Sequence, residues 1–173
     1  MKRVILDAES IGLHGECFAI GYVVKDELGK EVESGMASCP IETAKGDLDD
    51  CEWVSANVSL GEPTHANPRA VRDWWWEIYR RLSAEGAGFW CDCLWPVEAN
   101  LFSACIADDP VARKWLGPYP LGEITEYLRM AGRNPLEYYP RLDDELPAHN
   151  PRNDSRQSAR IFFECLDELN AKN

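Results

Sequence analysis

The chain opens on Val4-Ile5-Leu6, an apolar run without alternation, which predicts a central strand over residues 3–8. Residues 11–15 read as a loop. A second apolar run, from Cys17 to Lys25, predicts a second strand, and Asp26-Glu27-Leu28-Gly29 turns the chain into an alternating third strand over 30–38. Strands joined by short turns form a meander and are therefore antiparallel. Residues 39–67 carry Pro40, Gly46, Gly61 and Pro63 and read as irregular, with one short helix near 48–56. Asn67-Pro68 starts a helix, Asn67 as cap and Pro68 in the first turn; it runs to about Ala84 and stops at Gly86. Residues 88–93 read as a short apolar strand, and Pro96 opens another helix reaching about Ala107. Residues 118–128 read as a strand followed by a helical turn, and 132–147 as a loop. A last helix runs from Ser155 to about Ala171, with Ala159, Phe162, Phe163, Leu166 and Leu169 on its apolar face. This order predicts a mixed α/β architecture around one sheet.

Composition narrows the class. At 173 residues with 45% hydrophobic positions, the chain is expected to form one domain, spanning 1–173, with a full core. It has no apolar run long enough for a membrane span. Its N-terminus, Met1-Lys2-Arg3 followed by a strand, lacks the features of a signal peptide, which predicts a cytoplasmic protein. Seven cysteines, an odd number without export signal or paired CxxC spacing, are expected to be reduced thiols. The formal net charge of −12 is unfavourable for tight binding of a long polyanion. It leaves room for an enzyme acting on short nucleic-acid ends, because a metal cluster must itself be built from acids.

Asp7 and Glu9 are two apart on the first strand, so period-two alternation puts both carboxylates on one face. Two such charges at the end of a buried strand repel unless a cation sits between them. Asp154 stands near the start of the last helix, where an acid also suits the helix dipole, and His149 precedes it in a proline-containing loop. The middle of the chain offers two further acids. Asp92 stands at the end of the short strand, and Glu98 in the first turn of the helix that Pro96 opens. Both lie where an open α/β sheet places its site, beyond a strand's carboxyl end. Carboxylates meeting from distant parts of a chain suggest a divalent metal site, and the histidine suggests a general base.

These residues resemble the DEDDh 3′-5′ exonucleases of the ribonuclease H-like superfamily. Asp7-Ala8-Glu9 matches the family's first motif, Asp-x-Glu on the first strand, and His149 to Asp154 matches its third, a His followed after four residues by Asp. The likeness runs from residue 4 to about 169. The segment from Asn67 to Trp76 is similar to the branch of small bacterial and phage 3′-5′ exoribonuclease-like proteins. Three departures stand out. Ser10 replaces the usual Thr after Asp-x-Glu, the second motif is split between Asp92 and Glu98, and the surface is acidic.

The resemblance implies a ribonuclease H-like sheet, an antiparallel meander followed by parallel strands and flanked by helices. It implies two Mg²⁺ or Mn²⁺ ions held by Asp7, Glu9, Asp154 and either Asp92 or Glu98, a choice the residues leave open. Hard cations prefer such oxygen ligands. His149 would take the proton from the attacking water, work to which imidazole is suited near neutral pH. The substrate would be the 3′ end of single-stranded RNA or DNA, including short oligonucleotides. Ser10, Leu13, His14 and Arg152 are the candidate substrate contacts. Arg152, Arg156 and Arg160 form one stripe on the last helix, with a solvated, acid-paired face as the plainer reading of Arg160. Of three consecutive tryptophans, Trp74 is expected to face the core with Val71 and Ile78. Trp75 and Trp76 would then point about 100° and 200° away. A base-stacking platform would use them, but a homodimer interface is preferred. Two other classes compete with the exonuclease: a non-catalytic ribonuclease H-like protein-binding module, and an endonuclease of the same superfamily.

Overall fold

The structure, a computed structural model, describes residues 1–172. Strands β1 (Arg3–Ser10), β2 (Cys17–Lys25) and β3 (Glu31–Ser38) form the expected antiparallel meander. Strands β4 (Gly88–Cys91) and β5 (Gly122–Glu123) add in parallel on the other side of β1, giving the order β3-β2-β1-β4-β5. The unalternating run Val4-Ile5-Leu6 thereby becomes the middle strand, fully buried on both faces.

The two faces take different helices. Val4, Leu6 and Ala8 point into the larger core with α2 (Pro68–Ala84) and α3 (Ala99–Asp108). Ile5 points the other way, into a smaller core with Val23, Ile124, Ala159 and Phe162, where α5 (Ile124–Ala131) and α6 (Pro151–Ala171) pack. Asp7 and Glu9 continue the Ile5 row beyond the end of that apolar patch. The short α1 (Leu48–Asn57) and α4 (Pro110–Arg113) lie on the periphery.

Local signals account for most helix boundaries. Asn67 caps α2 by accepting from the Ala70 amide at 3.0 Å, with Pro68 at the first position. The last helix begins at Pro151 rather than Ser155, because Asn150 caps it from the Asn153 amide and Pro151 supplies a preset first turn. The helix expected to open at Pro96 opens instead on a wide, π-type turn, Leu94–Glu98, with Trp95 non-helical, and α3 follows from Ala99.

The tryptophans correct an expectation. Trp75 and Trp76 are both buried, at 0% and 5% exposure, and Trp74 is only partly so. Trp75 packs against Tyr22, Phe89 and Phe102 on the sheet side. Trp76 packs on Tyr79 and beneath Arg113, whose guanidinium lies 5.1 Å from the ring. Helix α2 is thus covered on a second flank by the segment after α3, and Tyr79 donates to the Leu116 carbonyl there at 2.7 Å. Rings buried within the chain form neither a stacking platform nor a dimer surface, so the tryptophan argument for a homodimer fails. Cys17, Cys39, Cys51, Cys91, Cys93, Cys105 and Cys165 are all free thiols, as expected. Among the described residues no helix is long and apolar enough to cross a membrane.

Candidate active site

A glycine lets Asp154 join the acids at one end of β1. Asp7 pairs with Gly21 of β2, and α6 crosses β2 at that point. A methyl carbon on Gly21 would lie 2.1 Å from the Arg152 nitrogen and 2.3 Å from the Pro151 carbonyl carbon. The missing side chain lets the start of the helix rest on the sheet, and the Ser155 hydroxyl ties it there by donating to the Gly21 carbonyl at 3.2 Å. Asp154, in the first turn of α6, is thereby delivered to the Asp7 row.

From the other side, β4 pairs with β1 in the register Leu6 to Cys91, so Asp92 leaves the strand level with Asp7. Glu98, on the wide turn that follows, is buried at 6% exposure and directed back towards the Ala8 amide. The loop before α6 supplies His149, whose backbone sits at φ 57°, a left-handed conformation unusual for a non-glycine residue. Ligand atoms of Glu9, His149 and Asp154 all lie within 4.8 Å of one another.

The electrostatics follow from crowding like charges in a half-buried cleft. Burial raises the Asp7 carboxyl well above the usual range, and Glu98, Glu9, Asp154 and Asp92 push it in the same direction, Glu98 hardest. Burial and then Asp154 push Glu9 up to about 7, while Arg141 pulls it back. Burial pushes Glu98 up to about 8, against the backbone amides of Glu98 and Ala8, with Asp92 and Glu9 adding to the rise. Asp92 is open to solvent, yet the protein around it, then Glu123 and Asp154, still raise it. Asp154 is raised by burial and eased by its ion pair with Arg141. Among the described residues Asp154 alone of these five acids is ion-paired. Oxygen donors that are crowded, half-buried and short of countercharge suit a hard divalent cation, so the residues fit such a site.

A cavity of about 310 Å³ opens beside the acids, lined by Glu9, Ser10, Leu13, Trp53, Val97 and His149 among others. Ser10 is itself turned inward, donating to the Gly12 carbonyl at 2.5 Å. Leu13 is exposed at the rim. His14 does not reach this cavity: it lies against Trp95, ring centres 6.4 Å apart, and lines a neighbouring one with Lys45 and Asn100. Among the described residues, the buried Arg152 Nε has no hydrogen-bond partner. Arg156 pairs with Glu31, and Arg160 pairs with Glu145 and Glu164, the acid-paired reading preferred for Arg160. A larger cavity, about 610 Å³, lies elsewhere, around Cys39, Cys51 and Val58. It holds no cluster of acids, so the chemistry points to the smaller one.

Two residues escape a reading of the sequence. Trp53, on α1, sets its edge against the His149 ring at 5.3 Å between centres, from a weakly amphipathic helix that gave no cue to its position. Arg141, in an irregular segment, ion-pairs with Asp154, and only the three-dimensional path of that segment brings it there.

Comparison with known proteins finds the same architecture. No protein-family model matches the chain, and no curated protein does. A solved structure of a moderately thermophilic exonuclease I from Methylocaldum szegediense matches at TM-score 0.61 and 14% identity, over 99% of this chain and 40% of that one. A 3′-exonuclease solved in its recognition of the 3′ end of a histone mRNA stem-loop matches at TM-score 0.46 and 11% identity, over 98% of this chain and 64% of that one. The chain therefore spans less than two thirds of the length of either structure. The first likeness, with the mixed sheet, shows a ribonuclease H-like fold.

Proposed function

We propose that the protein is a divalent-metal-dependent 3′-5′ exonuclease acting on single-stranded RNA or DNA ends. The observation that carries this reading is the convergence of Asp7, Glu9 and Asp154 with His149 at the end of the central strand. A structural cluster has no reason to crowd acids of which Asp154 alone has an ion-pair partner among the described residues; a phosphoryl-transfer site does. The fold shared with an exonuclease I is consistent with it.

In this reading Asp7, Glu9 and Asp154 hold two Mg²⁺ or Mn²⁺ ions, with Glu98 as the fourth carboxylate. Glu98 is preferred to Asp92 because it is buried against β1 and acts most strongly on Asp7, whereas Asp92 faces solvent. When bound, such ions activate a water and stabilise the leaving 3′ oxygen. His149 accepts the proton of that water, and its position beside Glu9 and Asp154 keeps its ring at the reacting end of the cleft. Trp53 and Leu13 flank the cavity as apolar walls for the terminal base. Arg152 contributes to backbone binding.

Loss of metal-dependent cleavage on replacing His149 by Ala, with Mn²⁺ binding retained, tests the assignment of the base. Unchanged turnover would remove the histidine from the mechanism.

A further inference from the structure

Among the described residues, the cation ion-paired within the acid cluster is Arg141. Its Nη1 donates to the Asp154 carboxylate and, at 3.0 Å, to the Glu145 carbonyl. Both side chains of the ion pair are largely buried, at 16% and 14% exposure. The guanidinium therefore sits among the converging groups and not on a solvated rim.

It is also held there deliberately by its neighbours. The Glu145 carboxylate, 2% exposed as a residue, accepts from Arg160 at 2.6 and 2.9 Å and from the Leu142 amide at 2.9 Å. Asn153 donates to the Leu146 carbonyl at 2.7 Å. The backbone from which Arg141 reaches is thus fastened to α6, the helix that carries Asp154. Most other arginines pair with acids remote from this cleft, as Arg81 does with Glu33 and Arg133 with Glu168.

An oxygen of Asp154 that binds a divalent ion draws a second positive charge to the place the guanidinium occupies, and the two cations repel. A guanidinium freed in that way keeps its planar fork of donors, which matches phosphate oxygens. We infer that Arg141 is a phosphate ligand held in reserve: it neutralises Asp154 in the metal-free protein and turns to the non-bridging oxygens of the scissile phosphate when cations take the carboxylate. This rests on the exonuclease reading.

Two effects of opposite sign follow from one residue. Without nucleic acid, Arg141 competes with metal; with nucleic acid, it helps to hold the substrate. The experiment is Mn²⁺ titration by calorimetry, without nucleic acid, on the unchanged chain, Arg141→Gln and Arg141→Lys, followed by steady-state cleavage of a single-stranded oligonucleotide. Arg141→Gln should bind Mn²⁺ several-fold more tightly while its KM rises about tenfold or more, with a smaller change in kcat. Arg141→Lys should keep the Mn²⁺ affinity near that of the unchanged chain and raise KM by an intermediate factor. A melting curve establishes that each variant folds; if Arg141→Gln does not, Arg141→Lys and Glu145→Gln, which loosens the tether, carry the comparison.

Weaker Mn²⁺ binding in Arg141→Gln would make the arginine a mere support for Asp154 and overturn the inference, as would an unchanged KM. If the unchanged chain binds Mn²⁺ and cleaves while the variants behave like it, the inference alone fails. If the unchanged chain neither binds Mn²⁺ nor cleaves, the exonuclease reading fails and this falls with it.

Discussion

Raising the pH from about 4.5 to 8 in the presence of chelator should destabilise this protein, because two largely buried carboxyls must ionise over that range. Glu9 is held at about 7 in the folded chain against an ordinary 4.5. At about 1.4 kcal/mol per pH unit, that gap is worth about 3 kcal/mol of preference for the protonated form, trimmed to ~2–3 kcal/mol because the side chain is partly wetted. The sign is fixed by linkage. A carboxyl raised on folding contributes stability that is fully present below its unfolded value and is lost as pH rises through the folded one. The loss from Glu9 therefore falls between roughly pH 4.5 and 7, and Glu98, at about 8, extends it upward. Acids lowered by arginines, such as Glu145 and Glu164, act with the opposite sign and are spent by pH ~4.5, below this window. For a chain of this size ~2–3 kcal/mol is a fall in Tm of about 4–12 °C between pH 5 and 8.5. Divalent cations bind the ionised carboxylates, so Mn²⁺ should restore little at pH 5 and most at pH 8.5; saturation a hundredfold above Kd adds about 2.7 kcal/mol. Thermal melting across this pH range, with chelator and with Mn²⁺, measures both. Glu9→Gln should flatten the chelator curve. A flat curve in the unchanged chain, or equal Mn²⁺ stabilisation at both pH extremes, would refute the argument.

Three further outcomes are expected. Replacing His149 by Ala should lower kcat by about two to four orders of magnitude, read in single-turnover cleavage, with the melting temperature little changed. Gly21→Ala should force the start of α6 off the sheet, because the new carbon meets backbone and not a flexible side chain; both Tm and Mn²⁺ affinity should fall, and a variant with normal metal binding would contradict the role given to that contact. Trp75→Ala should cost about 3–5 kcal/mol in denaturant melts, the scale for a fully buried aromatic ring, and a loss under 1 kcal/mol would show that the ring is not a core residue.

Much of the fold was legible because its signals are local. Val4-Ile5-Leu6 announces a middle strand, Asn67-Pro68 a helix start, and the spacing of Asp7 and Glu9 a shared face. The misread parts depend on what lies across from a residue. Trp75 and Trp76 cannot share one core if α2 has a single buried face, but the segment around Arg113 and Leu116 covers a second flank, and no periodicity within α2 could reveal that. Glu98 and Asp92 stayed equivalent until the wide turn at Leu94–Glu98 turned one towards Ala8 and left the other in solvent. Arg141 gave no sign at all. It lies in an irregular stretch rich in charge, and its importance comes from Glu145, Arg160 and Asn153, which pin that stretch to α6.

The central claim, that the acids of β1 and α6 run a metal-dependent cleavage at nucleic-acid 3′ ends, is tested most directly with 5′-labelled single-stranded RNA and DNA oligomers. Each would be incubated with Mn²⁺ and with chelator, for the unchanged chain and for Asp7→Asn. The account predicts a ladder shortening from the 3′ end with Mn²⁺, absent in chelator and abolished by Asp7→Asn, and the two strands side by side give the sugar preference. Cleavage that survives chelator or Asp7→Asn, or no cleavage of either strand, would contradict it.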